Sequence, residues 1–263
     1  MAYITFNTLG GMVTLIGGYL ALKRRNLLLG EIIAISLLLG ISYLIGARVL
    51  YGVLYLHRVL EEPRLLWELS LHNFSVFGGL IVAFIVFRVL MRRVGLQTLR
   101  VTDDIVPFLG VGLILAKLGC FYNGCCYGIP TNLPWGIIFP KADQNAVTRL
   151  LGSSGFIKAI SGAQSIPRHP TQLYEVGFTM LALIVVMWMT YKGGKFKLRA
   201  GLITYAFIWL YTFGRLMTFF YRDFPSATLL SSLVRGPIIY SAVLIWVSYK
   251  WIKAAYGLPQ FDL

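Results

Sequence analysis

Long apolar runs alternate with short polar ones along this chain. Seven stretches, at approximately 3–22, 29–52, 74–91, 105–121, 171–191, 201–220 and 236–254, reach or approach the roughly 20 residues that a helix needs to cross about 30 Å of hydrocarbon. Hydrocarbon offers no partner to an unpaired backbone group, so these runs predict helices. The expected fold is an all-α integral membrane protein with about seven transmembrane helices, in a single polytopic domain over residues 1–263. The apolar run from Leu9 to Leu22 precedes the cluster Lys23, Arg24 and Arg25, and no basic residue occurs between Met1 and Asn7. That order predicts a retained first span in place of a cleaved signal.

Charge adds an orientation. Lys23–Arg25 follow the first span, Arg88, Arg92, Arg93 and Arg100 separate the third from the fourth, Lys192, Lys195, Lys197 and Arg199 separate the fifth from the sixth, and Lys250 and Lys253 close the seventh. All four clusters fall on one face, which the positive-inside rule makes cytoplasmic. The N-terminus is then expected outside and the C-terminus in the cytoplasm, with segments 53–73, 122–170 and 221–235 on the outer face. Within the middle segment, Gly152–Gly155 and Ser161–Ser165 read as turns. Composition agrees: 57% of the residues are hydrophobic and 13% charged, about half the charge of a soluble domain, and the mean hydropathy is +0.73. The net charge of +14 does not indicate nucleic acid, because the basic residues cluster between apolar runs.

Ionisable residues inside spans are costly and are candidates for function. Here they are Glu31, Arg48, Lys117, Glu175 and Arg215. Mutual pairing or snorkelling is the plainer reading, and it is favoured for Glu31. Arg48, Lys117 and Arg215 belong to the outer halves of their spans and are expected to converge, as three cations suited to a phosphate.

Two polar runs flank the outer segment. Residues 116–136 read A-K-L-G-C-F-Y-N-G-C-C-Y-G-I-P-T-N-L-P-W-G, and residues 168–175 read R-H-P-T-Q-L-Y-E. The first resembles the signature G-R-x-G-N-F-x-N-G-E-x-x-G-x-x-T, followed by P-W-G, of the prolipoprotein diacylglyceryl transferase family. The second matches that family's R-H-P-[ST]-Q-L-Y-E throughout. Gly46-Ala47-Arg48, the pair Gly78-Gly79, Asp103 with Pro107, and Tyr211, Arg215 and Arg222 match further family positions in the same order. The chain departs from the pattern where Phe77 stands for a histidine, Lys117 for an arginine, Cys120 for an asparagine, Cys125 for a glutamate and Phe219 for an acidic residue. The family's first-span tyrosine has no clear counterpart.

The resemblance implies a multi-pass protein of the bacterial inner membrane. It would move a diacylglyceryl group from phosphatidylglycerol to the lipobox cysteine of a prolipoprotein and release glycerol phosphate. Arg215, Tyr211, Lys117, Asn123, His169 and Glu175 are then the candidate catalytic residues. Arg48, Lys117, Arg215 and Arg222, with Gly78, Gly79, Gly119, Gly124 and Gly128, are the candidate lipid and phosphate contacts. The implied partners are phosphatidylglycerol, the prolipoprotein signal peptide and the membrane. No metal or organic cofactor is implied. Two other readings keep the fold: the same donor serving a different acceptor, and a non-catalytic phospholipid-binding protein.

With Phe77 at the usual histidine, a base for the acceptor thiol must come from His169, Glu175 or Tyr211, or a field of cations must suffice. For His169 a structural hydrogen bond is favoured. Cys120, Cys125 and Cys126 are the only cysteines. Their C-x4-C-C spacing is not a zinc pattern. On an outer surface a Cys120–Cys125 or Cys120–Cys126 disulfide is the leading expectation, ahead of small packing residues and of a lipid-carrying thiolate.

Overall fold

A computed structural model describes residues 2–62, 64, 75–139, 166–196, 198–223 and 234–256. The turn-rich runs 152–155 and 161–165 lie outside the described residues, as do parts of all three expected outer segments. The helices are α1 (Ala2–Lys23), α2 (Leu29–Leu54), the short α3 (Leu56–Glu61), α4 (Val76–Arg93), α5 (Thr98–Tyr122), α6 (Thr171–Phe196), α7 (Leu202–Phe219) and α8 (Ile239–Tyr256). A π-helical turn, Val234–Ile238, runs into α8. All seven expected spans are therefore helical. Six are long and apolar enough to cross a membrane among the described residues. The exception is α4, with 18 residues, where Arg88, Arg92 and Arg93 occupy the last turns. Leu37, Ile41, Leu44 and Ile45 on α2, and Ile184, Met187 and Trp188 on α6, are exposed. Water would penalise such apolar surfaces, whereas lipid solvates them.

Two compact units share the chain, Gly18–Thr102 and Met1–Gly17 with Asp103–Leu263. In the first, α2 and α4 touch backbone to backbone. A Cβ on Gly46 would strike Gly78 O and Val82, and one on Gly79 would strike Tyr43. Small residues at such crossings let helices approach closely in lipid, where packing replaces the hydrophobic drive. Gly78 and Gly79 thus serve helix packing in this unit. Glu31 accepts a hydrogen bond from Leu28 N at 2.8 Å, which caps α2 and fits the structural reading of this carboxylate.

In the second unit, Val106, Ala182, Leu183, Val186, Ile203 and Phe207 form the core between α5, α6 and α7. The α5 helix starts seven residues earlier than hydropathy predicts. Its polar first turns are retained because Asp103 is buried and engaged: it accepts from Gly201 N at 2.7 Å, from Thr204 N at 2.8 Å and from Thr204 Oγ1 at 2.6 Å. One carboxylate thereby satisfies open amides at the start of α7. Asp103→Ala strands those donors, and we expect a loss of about 2–4 kcal/mol, read as a lower melting temperature of the detergent-solubilised protein, with Asp103→Asn intermediate.

Candidate active site

The site lies in the second unit, where the C-terminal ends of α5 and α7 meet the first turns of α6. Glu175 is 4% exposed. Its Oε2 pairs with Lys117 Nζ from α5, and its Oε1 pairs with Arg215 Nη1 from α7. Arg222 Nη1, just beyond α7, stands 3.6 Å from Oε1. Among the described residues, three cations thus surround this carboxylate, and their formal charge exceeds its own by two. Lys117 and Arg215 converge as their chemistry suggested. Arg222 is the third cation on Glu175, while Arg48 sits half-buried on α2 in the other unit. Glu175, one of the candidate bases, is engaged by all three cations and organises the cluster.

Arg215 has a second anchor that sequence reasoning missed. Its Nη2 donates to Tyr240 Oη at 3.1 Å, and its guanidinium lies 5.8 Å from the centre of the Tyr240 ring. Tyr211, one turn before Arg215 on the same face of α7, stacks on Phe207 with ring centres 6.0 Å apart.

The Arg168–Glu175 run clamps the outer loop. Gly128 N donates to His169 O at 2.8 Å, His169 N to Ile129 O at 3.1 Å, and Ile137 N and Arg168 N exchange bonds with each other's carbonyls at 3.0 and 2.9 Å. The Arg168 side chain is buried under Tyr127, 5.1 Å from the ring centre, and pairs with Asp223 at 2.9 Å. His169 is buried too. Its Nδ1 shares a 2.9 Å hydrogen bond with Tyr174 Oη, which also accepts from Trp135 Nε1 at 2.9 Å. His169 thus makes a hydrogen bond within the clamped loop. Loops normally avoid burial because their backbone groups need partners; here two sequence-distant runs supply each other's. Gly128 is required at the crossing, since a Cβ there would meet Tyr221 O in addition to His169 Cβ at 2.7 Å. Gly128→Ala should cost about 1–3 kcal/mol, the usual range for overpacking, measurable as a lower midpoint of thermal unfolding.

The signature loop turns sharply after α5. Gly124 has φ +64° and so does Cys126; the second is a left-handed conformation that L side chains rarely adopt. The carbonyls of Cys125 and Cys126 accept from Gln172 Nε2 at 2.6 Å and Thr171 Oγ1 at 2.7 Å. Asn123 hydrogen-bonds Cys125. Cys120, Cys125 and Cys126 are free thiols, so the expected disulfide is not formed here, although their sulfurs lie within 4.8 Å of one another. The Cys126 thiol is pulled down to about 5, chiefly by a hydrogen bond from Cys120, against the cost of burial and with help from Arg222 and Lys117. Burial pushes the Cys125 thiol up. Tyr3 on α1 is within electrostatic reach of the three sulfurs, and Gly119 admits α1 closely, since a Cβ there would stand 3.0 Å from Phe6. No sequence signal marked Tyr3.

An all-helical membrane protein with a buried, net-positive polar site between three helix ends defines the class. The sequence profile of the prolipoprotein diacylglyceryl transferase family matches residues 2–252, and the chain belongs to that family. A phosphatidylglycerol–prolipoprotein diacylglyceryl transferase of Cupriavidus metallidurans is 35% identical over 124 residues, 47% of this chain and 37% of that protein. The transferase of the same name from Nitrosomonas europaea is 31% identical over 200 residues, 71% of this chain and 63% of the relative. That from Bordetella parapertussis is 29% identical over 196 residues, 74% and 63%. The chain therefore aligns with less than two thirds of the length of these relatives.

Proposed function

We propose that this protein transfers the diacylglyceryl group of phosphatidylglycerol to the lipobox cysteine thiol of prolipoproteins at the outer face of the bacterial inner membrane. In this reading the acceptor thiol gives its proton to water, and the thiolate sulfur attacks the glyceryl carbon that carries the phosphate. A C–S bond forms, the C–O bond breaks, and glycerol phosphate leaves with the electron pair. A singly charged phosphodiester becomes a dianion. The observation that carries the reading is the surplus of two positive charges around Glu175. Lys117, Arg215 and Arg222 are fixed before the reaction, so no reorganisation is needed as negative charge develops on the leaving oxygen. Arg215, pinned by Tyr240 and Glu175, still has a planar fork suited to phosphate oxygens. Family membership and the relatives' names support the donor and acceptor. The basic clusters support an outside N-terminus, and Arg48 is a proposed further phosphate contact on sequence grounds.

His169 is assigned a structural role. We expect His169→Gln to retain transfer within about tenfold of wild type, whereas loss of a general base costs about 10²–10⁴-fold. Initial rates with a lipobox peptide distinguish the two. The reading as a whole is tested by complementation. Cells depleted of their own transferase should regain diacylglyceryl-modified lipoprotein when this chain is expressed. Stable, membrane-inserted protein without modified lipoprotein would overturn it.

A further inference from the structure

The three cysteines have no part in holding the phosphate, yet their arrangement is costly and specific. Two left-handed residues, Gly124 and Cys126, both with φ +64°, curl the chain back against the end of α5. Holding a residue other than glycine there costs about 1–2 kcal/mol. The curl is fixed mainly through the backbone: Gln172 and Thr171 donate to the carbonyls of Cys125 and Cys126, and Cys125 N donates to Cys120 O at 3.1 Å, with the Cys125 thiol donating to the same carbonyl at 3.6 Å. Most of that closure is made by backbone groups, and only the Cys125 thiol adds a long hydrogen bond to it. The effect of the curl is to bring three sulfurs within 4.8 Å of one another. Packing alone does not require that convergence, and a disulfide would use two sulfurs and leave the third.

We propose that Cys120, Cys125 and Cys126 form a three-thiolate site for one soft divalent ion of the zinc type, with a fourth position left for the acceptor thiol. Zinc–sulfur bonds of about 2.3 Å set tetrahedral sulfur–sulfur separations near 3.8 Å, so closure needs only small side-chain movements. The linear spacing hides the site, because it is the backbone turn that brings the ligands together. Among the described residues no histidine, carboxylate or fourth thiol joins the cluster. Three protein ligands and one open position are the arrangement of a catalytic zinc ion. Arg222 and Lys117 act electrostatically on the cluster and would offset the net negative charge of a zinc trithiolate.

This inference rests on the transfer reading and supplies what Phe77 leaves out. An acceptor thiol that takes the fourth position gives its proton to water and is held as thiolate, with no histidine base. Its sulfur then forms the C–S bond as the C–O pair leaves with the phosphate. The ion keeps its oxidation state, and the product thioether is a weaker ligand that departs.

The test uses the full chain in detergent, reduced and stripped with a chelator, and titrated with Co²⁺ alone. One equivalent should bind with a sulfur-to-cobalt charge-transfer band, and Zn²⁺ should displace it. Cys120→Ser, Cys125→Ser and Cys126→Ser should each weaken binding at least about tenfold. In the unmutated protein, Zn²⁺ should protect all three thiols from alkylation, which needs no variant to fold. Absence of the band with three alkylatable thiols, or a disulfide between two of them in protein purified without reductant, would overturn the site. Neither readout involves lipid or acceptor, so failure here is separate from failure of the transfer reading, which complementation decides.

Discussion

Arg215→Ala should lower diacylglyceryl transfer by about 10²–10³-fold, the usual effect of removing one fixed donor from developing negative charge, while the protein stays folded. Folding survives because Glu175 keeps Lys117 and Arg222. Arg215→Lys should recover only part of the loss. It restores the charge without the fork that reaches both Glu175 and Tyr240, and a point charge meets one phosphate oxygen where a guanidinium meets two. Initial rates with phosphatidylglycerol vesicles and a lipobox peptide separate the three proteins. Equal rates for Arg215→Lys and wild type would reduce the role of Arg215 to charge alone.

Glu175→Gln should have the largest effect on stability. It leaves Lys117, Arg215 and Arg222 facing one another with no anion among them. Removing one partner from a buried ion cluster costs about 3–5 kcal/mol, so the melting temperature should fall steeply and little protein should survive solubilisation. The double substitution Lys117→Met with Glu175→Gln removes one of the repelling cations and should regain part of the stability without regaining transfer. That pattern distinguishes an organising carboxylate from a general base. If Glu175→Gln melts like wild type but has lost activity, the carboxylate acts chemically and the organising role fails.

The helices were legible in the sequence because the thickness of the bilayer sets the length of an apolar run, and that constraint needs no knowledge of tertiary contacts. Hydropathy failed where the helix outran the membrane: the first turns of α5 are polar, and only burial of Asp103 against α7 explains them. The Lys117–Arg215 convergence was legible in kind, since unpaired charges inside spans must find partners. Which carboxylate they would share was not, because hydropathy places both Glu31 and Glu175 inside spans and does not say which of them faces the cations. Tyr240 and Tyr3 were invisible for a different reason. Aromatic residues are common in membrane spans, and nothing local distinguishes a tyrosine that holds a guanidinium from one that faces lipid. The cysteines show the same limit. Their expected place on the outer surface suggested a disulfide, whereas the geometry depends on a left-handed turn at Cys126 that no residue type announces.

In the proposed reaction a fixed positive surplus around Glu175 stabilises the departing glycerol phosphate. The most direct test is quantitative product analysis in proteoliposomes in which phosphatidylglycerol is the sole anionic lipid, with a lipobox peptide as acceptor. Equal amounts of released glycerol phosphate and diacylglyceryl-modified peptide are expected from the unmutated protein, and almost none of either from Arg215→Ala. Full yields of both products from a folded Arg215→Ala, Arg222→Ala double variant would contradict that stabilisation.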